Sequence, residues 1–372
     1  MATIRGGIRE QFDWMLFGAI ALIAFLGVTN LYSATSAGKA SMTEIYLTQL
    51  YFILAGGVVA AIIAAIDYRY YERHGWVAYG VGVATLILLF AVGRSVRGSV
   101  RWLSIGAFSL QPSELMKIFL IIALAKYLHN DPKTTGRTLR DLIPPGLILA
   151  LPMVLILKQP DLGTALICVA IFTSIMLLTN LKWQSLVTLV ICAVAAIPLT
   201  WAFVLEEYQK ERAISFWSSF VDPEKDMLGS GWHAYQSKVA IGSGGIWGKG
   251  FMQSTQNQYG FVPDQHSDFP FCIYAEEHGL AGVIVLLGAY LFLILRGLKV
   301  ASQAKDRFGA VLAVGVSAMF FFHTIINVGM VMGLLPVVGI TLPLFSHGGS
   351  SVLTFMMGIG LLMNVSIRRF HF

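Results

Sequence analysis

Residues 183–212 read WQSLVTLVICAVAAIPLTWAFVLEEYQKER, and no Asp, Glu, Lys or Arg falls between Trp183 and Leu205. A helix rises about 1.5 Å per residue, so a run of roughly 20 apolar residues crosses the ~30 Å hydrocarbon layer of a bilayer. Backbone N–H and C=O groups find no water there, and a helix lets such a run satisfy them internally. At Glu206 the composition turns polar and stays so to Asp268, where the next apolar run begins.

The same alternation extends outward in both directions. Ten candidate spans follow: Trp14–Tyr32, Tyr46–Ile66, Gly75–Gly93, Ser113–Leu128, Leu142–Leu157, Thr164–Thr179, Trp183–Leu205, Phe269–Leu295, Phe308–Leu335 and Ser350–Ile367. The fifth and sixth are short, and only Lys158 to Gly163 separates them. The expected fold class is therefore an all-α polytopic membrane protein of about ten transmembrane helices. It forms a single domain over residues 1–372, with one long extracytoplasmic loop, about 206–268, between spans seven and eight. Trp217, Trp232, Tyr235 and Trp247 are spread through that loop and suit a lipid–water interface, so it is expected to lie on the membrane. The first span exceeds the roughly 7–15 residue core of a cleaved signal and is expected to remain in the mature protein.

Composition supports this. Hydrophobic residues make up 56% of the chain and charged residues 12%, with mean hydropathy +0.71. Soluble domains carry about 25% charged residues, so a string of soluble domains is excluded. The net charge of +6 suits anionic lipid surfaces, and no basic run resembles a nucleic-acid arm. Cys168, Cys192 and Cys272 all lie in apolar segments, form no Cys-x-x-Cys pair, and read as buried hydrophobes.

Lysine and arginine bias sets the orientation. With the N-terminus cytoplasmic, the inside segments collect Arg5, Arg9, Arg69, Arg73, Lys126, Lys133, Arg137, Arg140, Lys182, Arg296, Lys299, Lys305, Arg307, Arg368 and Arg369. The short outside loops hold Lys39, Arg94, Arg97, Arg101 and Lys158. Both termini are thus expected in the cytoplasm and the long loop outside. Arg94, Arg97 and Arg101 run against the bias, which points to an anionic ligand.

Several polar constellations interrupt the spans. Pro112 and Ser113 read as a helix start with Ser113 as its cap. Glu114 and Lys117 follow three apart, either as a self-neutralising pair or as a cavity wall. Asp161 either caps the next helix or faces the same cavity. The glycine-rich stretch Ile241 to Gly250 fails the phosphate-loop pattern, yet beside Lys238 and Lys249 it could offer N–H groups to an anion. Asp264, His266 and Asp268 are a weak metal cluster. Asp268, where the loop meets the eighth span, has the position of a general base partly withdrawn from water. Glu276 and Glu277 suggest a polar cavity in that span. His347 serves equally as a packing histidine or a ligand contact.

Taken together, these stretches resemble the SEDS family (shape, elongation, division and sporulation) of bacterial cell-wall polymerases. The resemblance rests on Arg101-Trp102-Leu103, Gln111-Pro112-Ser113-Glu114-x-x-Lys117, Gln159-Pro160-Asp161-Leu162-Gly163-Thr164, Pro263-x-x-His266-Ser267-Asp268-Phe269, Ala275-Glu276-Glu277-x-Gly279 and Ser346-x-Gly348-Gly349-Ser350. Gln236-Ser237-Lys238-x-Ala240 through Gly250 is similar to the elongation branch rather than the division branch. His347 departs from the pattern, since a tyrosine is usual there.

The resemblance implies a peptidoglycan glycosyltransferase of cell elongation, polymerising lipid II into β-1,4 glycan with undecaprenyl pyrophosphate leaving. It implies that Asp268 is the residue the reaction depends on, with Trp102, Glu114, Lys117, Asp161 and Ser346 around the same extracytoplasmic cavity. A departing pyrophosphate asks for fixed positive charge or a divalent cation such as Mg²⁺ or Mn²⁺. Arg101, Arg212, Lys238 and Lys249 are the candidate cations. The implied setting is the bacterial inner membrane, with a monofunctional class B penicillin-binding protein transpeptidase and the elongation machinery as partners. A lipid II flippase is the competing reading, since it would use Glu114, Lys117, Glu276 and Glu277 without needing Asp268. An ion-coupled carrier would show inverted repeats, and none is visible.

Overall fold

The structure, a computed structural model, describes residues 12–36, 44–96, 99–105, 108–131, 133, 136–221, 231–259 and 266–369. Thirteen α-helices follow in chain order among them. They are α1 Trp14–Ser36, α2 Ile45–Ala65, α3 Tyr68–Val92, α4 Pro112–Asn130, α5 Ile143–Leu157, α6 Leu162–Leu177 and α7 Trp183–Phe203. Then come α8 Glu207–Val221, α9 Trp232–Ser243, the single turn α10 Thr255–Gln258, α11 Pro270–Ser302, α12 Arg307–Val331 and α13 Gly349–Arg368.

Each of the ten expected spans contains a helix. Among the described residues, eight are long and apolar enough to cross a membrane by length and composition. The other two, α4 and α6, fall short for visible reasons. Glu114, Lys117 and Lys126 interrupt α4, and α6 has only 16 residues. Charged starts hid some true boundaries. The third helix begins at Tyr68 rather than Gly75, because Asp67 caps it by accepting the Arg69 N–H at 3.0 Å.

The polytopic helical fold is as expected, with two additions. The chain is not purely helical, since strands β1 Arg94–Val96, β2 Ser99–Ile105 and β3 Phe108–Leu110 form a small antiparallel sheet in the order β1-β2-β3. The long polar interval also carries helices α8, α9 and α10.

The centre of the bundle is α12 and α13. In α13, 83% of the spanning window is buried, against none of that in α7, where Ser185 is the buried residue. Cys192 lies on the exposed side of α7, which corrects its reading as a buried hydrophobe, while Cys168 and Cys272 are buried. Small residues let helices touch, as expected where lipid tails compete equally for apolar surface. A Cβ added at Gly360 of α13 would stand 2.7 Å from the Ala60 carbonyl of α2.

Between α12 and α13 the chain runs without helix through residues 332–348, yet Leu342, Leu344 and Phe345 are fully buried. Irregular backbone at such depth survives only if other groups answer its carbonyls. Asn327 Nδ2 donates to Ile340 O at 2.6 Å, Tyr290 OH to Pro343 O at 2.6 Å, and Gln49 Nε2 to Ser346 O at 3.0 Å. Ser346 Oγ accepts the Leu342 N–H at 2.9 Å and closes the turn. This re-entrant turn forms one wall of the site.

Candidate functional site

A cavity of about 880 Å³ opens where β2, the start of α4, the 159–164 turn, α8, the residues before α11 and the re-entrant turn converge. That is within the size range of small-molecule pockets. Arg101, Trp102, Glu114, Asp161, Arg212 and Asp268 all stand on its wall, so six of the expected site residues meet in one place.

Each is held by its element. Arg101, on β2, donates Nε–H to Gln159 O at 3.2 Å, and its guanidinium also bonds Pro160 O and Tyr208 OH. Arg212, on α8, donates to Val337 O at 3.1 Å and lies 5.8 Å from the Tyr208 ring centroid. Asp161 does cap α6, accepting the Thr164 N–H at 3.3 Å. It also accepts from Gln111 Nε2, Ser113 Oγ and Thr164 Oγ1 at 2.9–3.0 Å. Its two readings are therefore both met, because the cap itself faces the cavity. Ser113, in contrast, caps nothing: the N-cap position of α4 is Gln111, and the Ser113 hydroxyl is spent on Asp161.

Beneath the wall lies a buried polar line. Lys117 Nζ stands 2.8 Å from both Glu114 Oε1 and His323 Nε2, and His323 Nδ1 is 3.1 Å from Thr341 O. The carbonyl can only accept, so the Nδ1 nitrogen carries the ring proton and Nε2 accepts from Lys117. The second oxygen of Glu114, Oε2, is buried without a partner. His323 on an apolar helix and its partner Thr341 escaped the sequence reading. An ionisable residue inside a span was the available signal.

Asp268 is half-buried at the entrance to α11. Asn327 Nδ2 donates to its backbone carbonyl at 3.0 Å, and its carboxylate lies 3.6 Å from where a Cβ on Gly339 would stand. Beside it, the His347 N–H donates to His266 O at 2.9 Å. Burial, followed by the neighbouring His266, lowers the pKa of His347 to about 4.

Four expected contacts are not on the cavity wall. Lys117 is fully buried behind Glu114. Lys238 lines a small adjoining cavity with Arg212 and Gly333. Ser346 is buried in the re-entrant turn. Lys249 sits 2.5 Å from Glu276 Oε1, because a carboxylate with no exposed surface needs a countercharge. Ser254 Oγ, Thr255 Oγ1 and the Thr255 N–H also bond Glu276. Glu277 accepts from Ser33 Oγ. These two acids thus anchor a loop rather than line a cavity.

The glycine stretch makes no anion cradle either. Lys249 N–H and Gly250 N–H are used on the carbonyls of Glu276 and Glu277, both at 3.0 Å. Asp264 and Arg97 lie outside the described residues, as do the side chain of Arg94 and residues Arg5, Arg9 and Lys39. Among the described residues no group of three His, Cys, Asp or Glu side chains could hold a metal ion.

Comparison with known proteins gives a consistent result. A family model described as "Cell cycle protein", covering FtsW, RodA and SpoVE, matches residues 13–371. Peptidoglycan glycosyltransferase MrdB of Escherichia coli (strain K12) is 38% identical over 348 residues, covering 91% of this chain and 90% of that protein. Peptidoglycan glycosyltransferase RodA of Treponema pallidum (strain Nichols) is 32% identical, covering 97% of this chain and 98% of that one. Among solved structures, a chain from work on the structural coordination of polymerization and crosslinking by a peptidoglycan synthase complex matches with TM-score 0.81 at 30% identity, covering 97% of this chain and 99% of that chain. The rod shape determining protein RodA of Thermus thermophilus matches with TM-score 0.71 at 28% identity, covering 97% and 98%.

Proposed function

The chain belongs to the FtsW/RodA/SpoVE family, and from that premise we propose that it is a peptidoglycan glycosyltransferase polymerising lipid II into β-1,4 glycan strands during cell elongation. The observation that carries the reading is Asp268 on the wall of a cavity that also presents Arg101 and Arg212. A base and fixed positive charge facing one space are what an inverting displacement with an anionic leaving group requires.

In the proposed reaction Asp268 takes the proton of the acceptor sugar's 4-hydroxyl as that oxygen attacks the donor's anomeric carbon. The new C–O bond forms opposite the breaking one, so an α-linked donor gives a β linkage. The bonding pair leaves with undecaprenyl pyrophosphate, towards Arg101 and Arg212, with Lys238 beyond them. Asp161 ties the start of α4 to the start of α6 and serves as a structural part of the wall, its Oδ2 accepting three hydrogen bonds.

A divalent cation, Mg²⁺ or Mn²⁺, would neutralise charge on the departing pyrophosphate. Such ions bind through one or two carboxylates, waters and substrate phosphates rather than a dedicated protein cage. Glu114 Oε2, buried and unpartnered on the cavity wall, is the protein atom that fits this role.

The protein is a multi-pass membrane protein. Its charge bias supports cytoplasmic termini and a cavity open to the outside of the inner membrane. The likeness to a chain from a synthase complex that coordinates polymerization and crosslinking supports a class B penicillin-binding protein transpeptidase as partner. Co-purification of that transpeptidase with the chain would test the pairing.

The test is polymerisation of labelled lipid II by purified wild type and Asp268→Ala, each with and without a chelator. Asp268→Ala should lose at least about a hundredfold in rate, and chelation should slow the wild type. A mutant that retains its activity would remove Asp268 from the reaction. Lipid II crossing vesicle membranes with no glycan from either protein would favour the flippase.

A further inference from the structure

We propose that His347 is a substrate contact whose Nδ1 accepts a hydrogen bond from a hydroxyl or amide N–H of the acceptor sugar, so that the sugar, and not the pyrophosphate, occupies this end of the cavity. The inference rests on the glycosyltransferase reading above and deepens it.

His347 stands on the cavity wall, and its Nδ1 atom is buried with no hydrogen-bond partner. Buried polar nitrogen is rarely left unanswered, and each such atom costs free energy until something bonds it. The backbone that carries the ring is held in place. The His347 N–H is tied to His266 O at 2.9 Å, and the following Gly348 N–H reaches Gln49 Oε1 at 3.4 Å. The ring itself lies between Phe52 and His266, 6.3 Å from each centroid.

The chemistry of the ring selects the partner. With its pKa lowered to about 4 by burial and by His266, the imidazole is neutral near pH 7. A neutral ring has no charge to attract pyrophosphate. Its Nε2–H tautomer, the one a neutral histidine side chain favours, leaves Nδ1 as an acceptor. Pyrophosphate oxygens only accept, whereas sugar hydroxyls and acetamido groups donate. The cations that suit pyrophosphate, Arg101 and Arg212, come from β2 and α8 instead. Asp268, two residues beyond His266, places the proposed base at the same end as the sugar.

The experiment measures binding of lipid II and of undecaprenyl pyrophosphate, which carries no sugar, to the full chain in nanodiscs. Wild type, His347→Phe and His347→Asn are compared, since Asn restores a polar atom near the Nδ1 position. His347→Phe should weaken lipid II binding about tenfold, the usual scale for one lost bond to an uncharged group. It should leave undecaprenyl pyrophosphate binding within about twofold, and His347→Asn should recover most of the loss. Equal weakening of both ligands, or of neither, overturns the inference. Melting temperatures guard against misfolding, and His347→Gln, which moves the polar atom to the Nε2 position, replaces the Phe variant if that fails to fold. Wild-type polymerisation is scored alongside. If wild type makes no glycan, the functional reading falls and this inference with it; if it makes glycan while the binding pattern fails, only the inference falls.

Discussion

The ammonium of Lys117 has no exposed surface and stands 2.8 Å from two acceptors, Glu114 Oε1 and His323 Nε2. Replacing it with methionine keeps the volume but leaves a buried carboxylate without its cation. Breaking a buried pair from one side typically costs about 3–5 kcal/mol, whereas removing both charges costs far less. Lys117→Met should therefore lower thermal stability in detergent sharply, and Glu114→Gln with Lys117→Met should recover a clear part of the loss. Equal melting of the single and double variants would show that the pair contributes nothing to folding. At this scale the sequence was informative about which residues matter and silent about which belong together. Glu114 and Lys117 are three apart on one helix and could be paired on paper. Lys249 could not, because its partner Glu276 lies 27 positions further on, and nothing in the spacing announces that this cation is already in use.

Among the elements, α11 shows how local backbone sets the position of a loop. It is interrupted at Gly279, whose φ of 62° and ψ of −165° belong to a region essentially reserved for glycine. A Cβ there would fall 2.3 Å from Gly248 N and 2.6 Å from Ile246 O, within the loop that Glu276 and Glu277 anchor. Gly279→Ala should cost at least about 2 kcal/mol of stability. Gly288→Ala, on the same helix with no atom within 4 Å of the added carbon, should be neutral or slightly stabilising. Identical melting temperatures for the two would refute the assignment of strain to Gly279. The existence of this helix was legible because lipid writes itself into hydropathy. Its break was not, since a glycine in a sequence carries no sign of its φ angle. The β1–β3 sheet was missed for another reason. Its strands are 3, 7 and 3 residues long and follow an apolar run, so period-two alternation had too little length to register.

For the molecule as a whole, the charge bias predicts that the 246–252 loop is reached from outside the cell. With the native cysteines Cys168, Cys192 and Cys272 replaced, a cysteine at the exposed position Trp247 should react with a membrane-impermeant maleimide added to intact spheroplasts. Labelling only after lysis would invert the topology and with it the side of the cavity. The bundle was readable from composition because ten apolar runs leave few other arrangements. The cavity was not, because it is assembled from segments as distant as Arg101 and His347, each polar for its own local reason. One amide, that of Asn327, donates to Ile340 O and to Asp268 O at once, so the last helical residues before the re-entrant turn also hold the start of α11. Descent with change can then work on the 246–252 loop, which is anchored through Glu276 and Glu277, without touching the amide that seats Asp268. Relatives that diverge there would keep the same reaction, and new partners could be acquired by altering that surface.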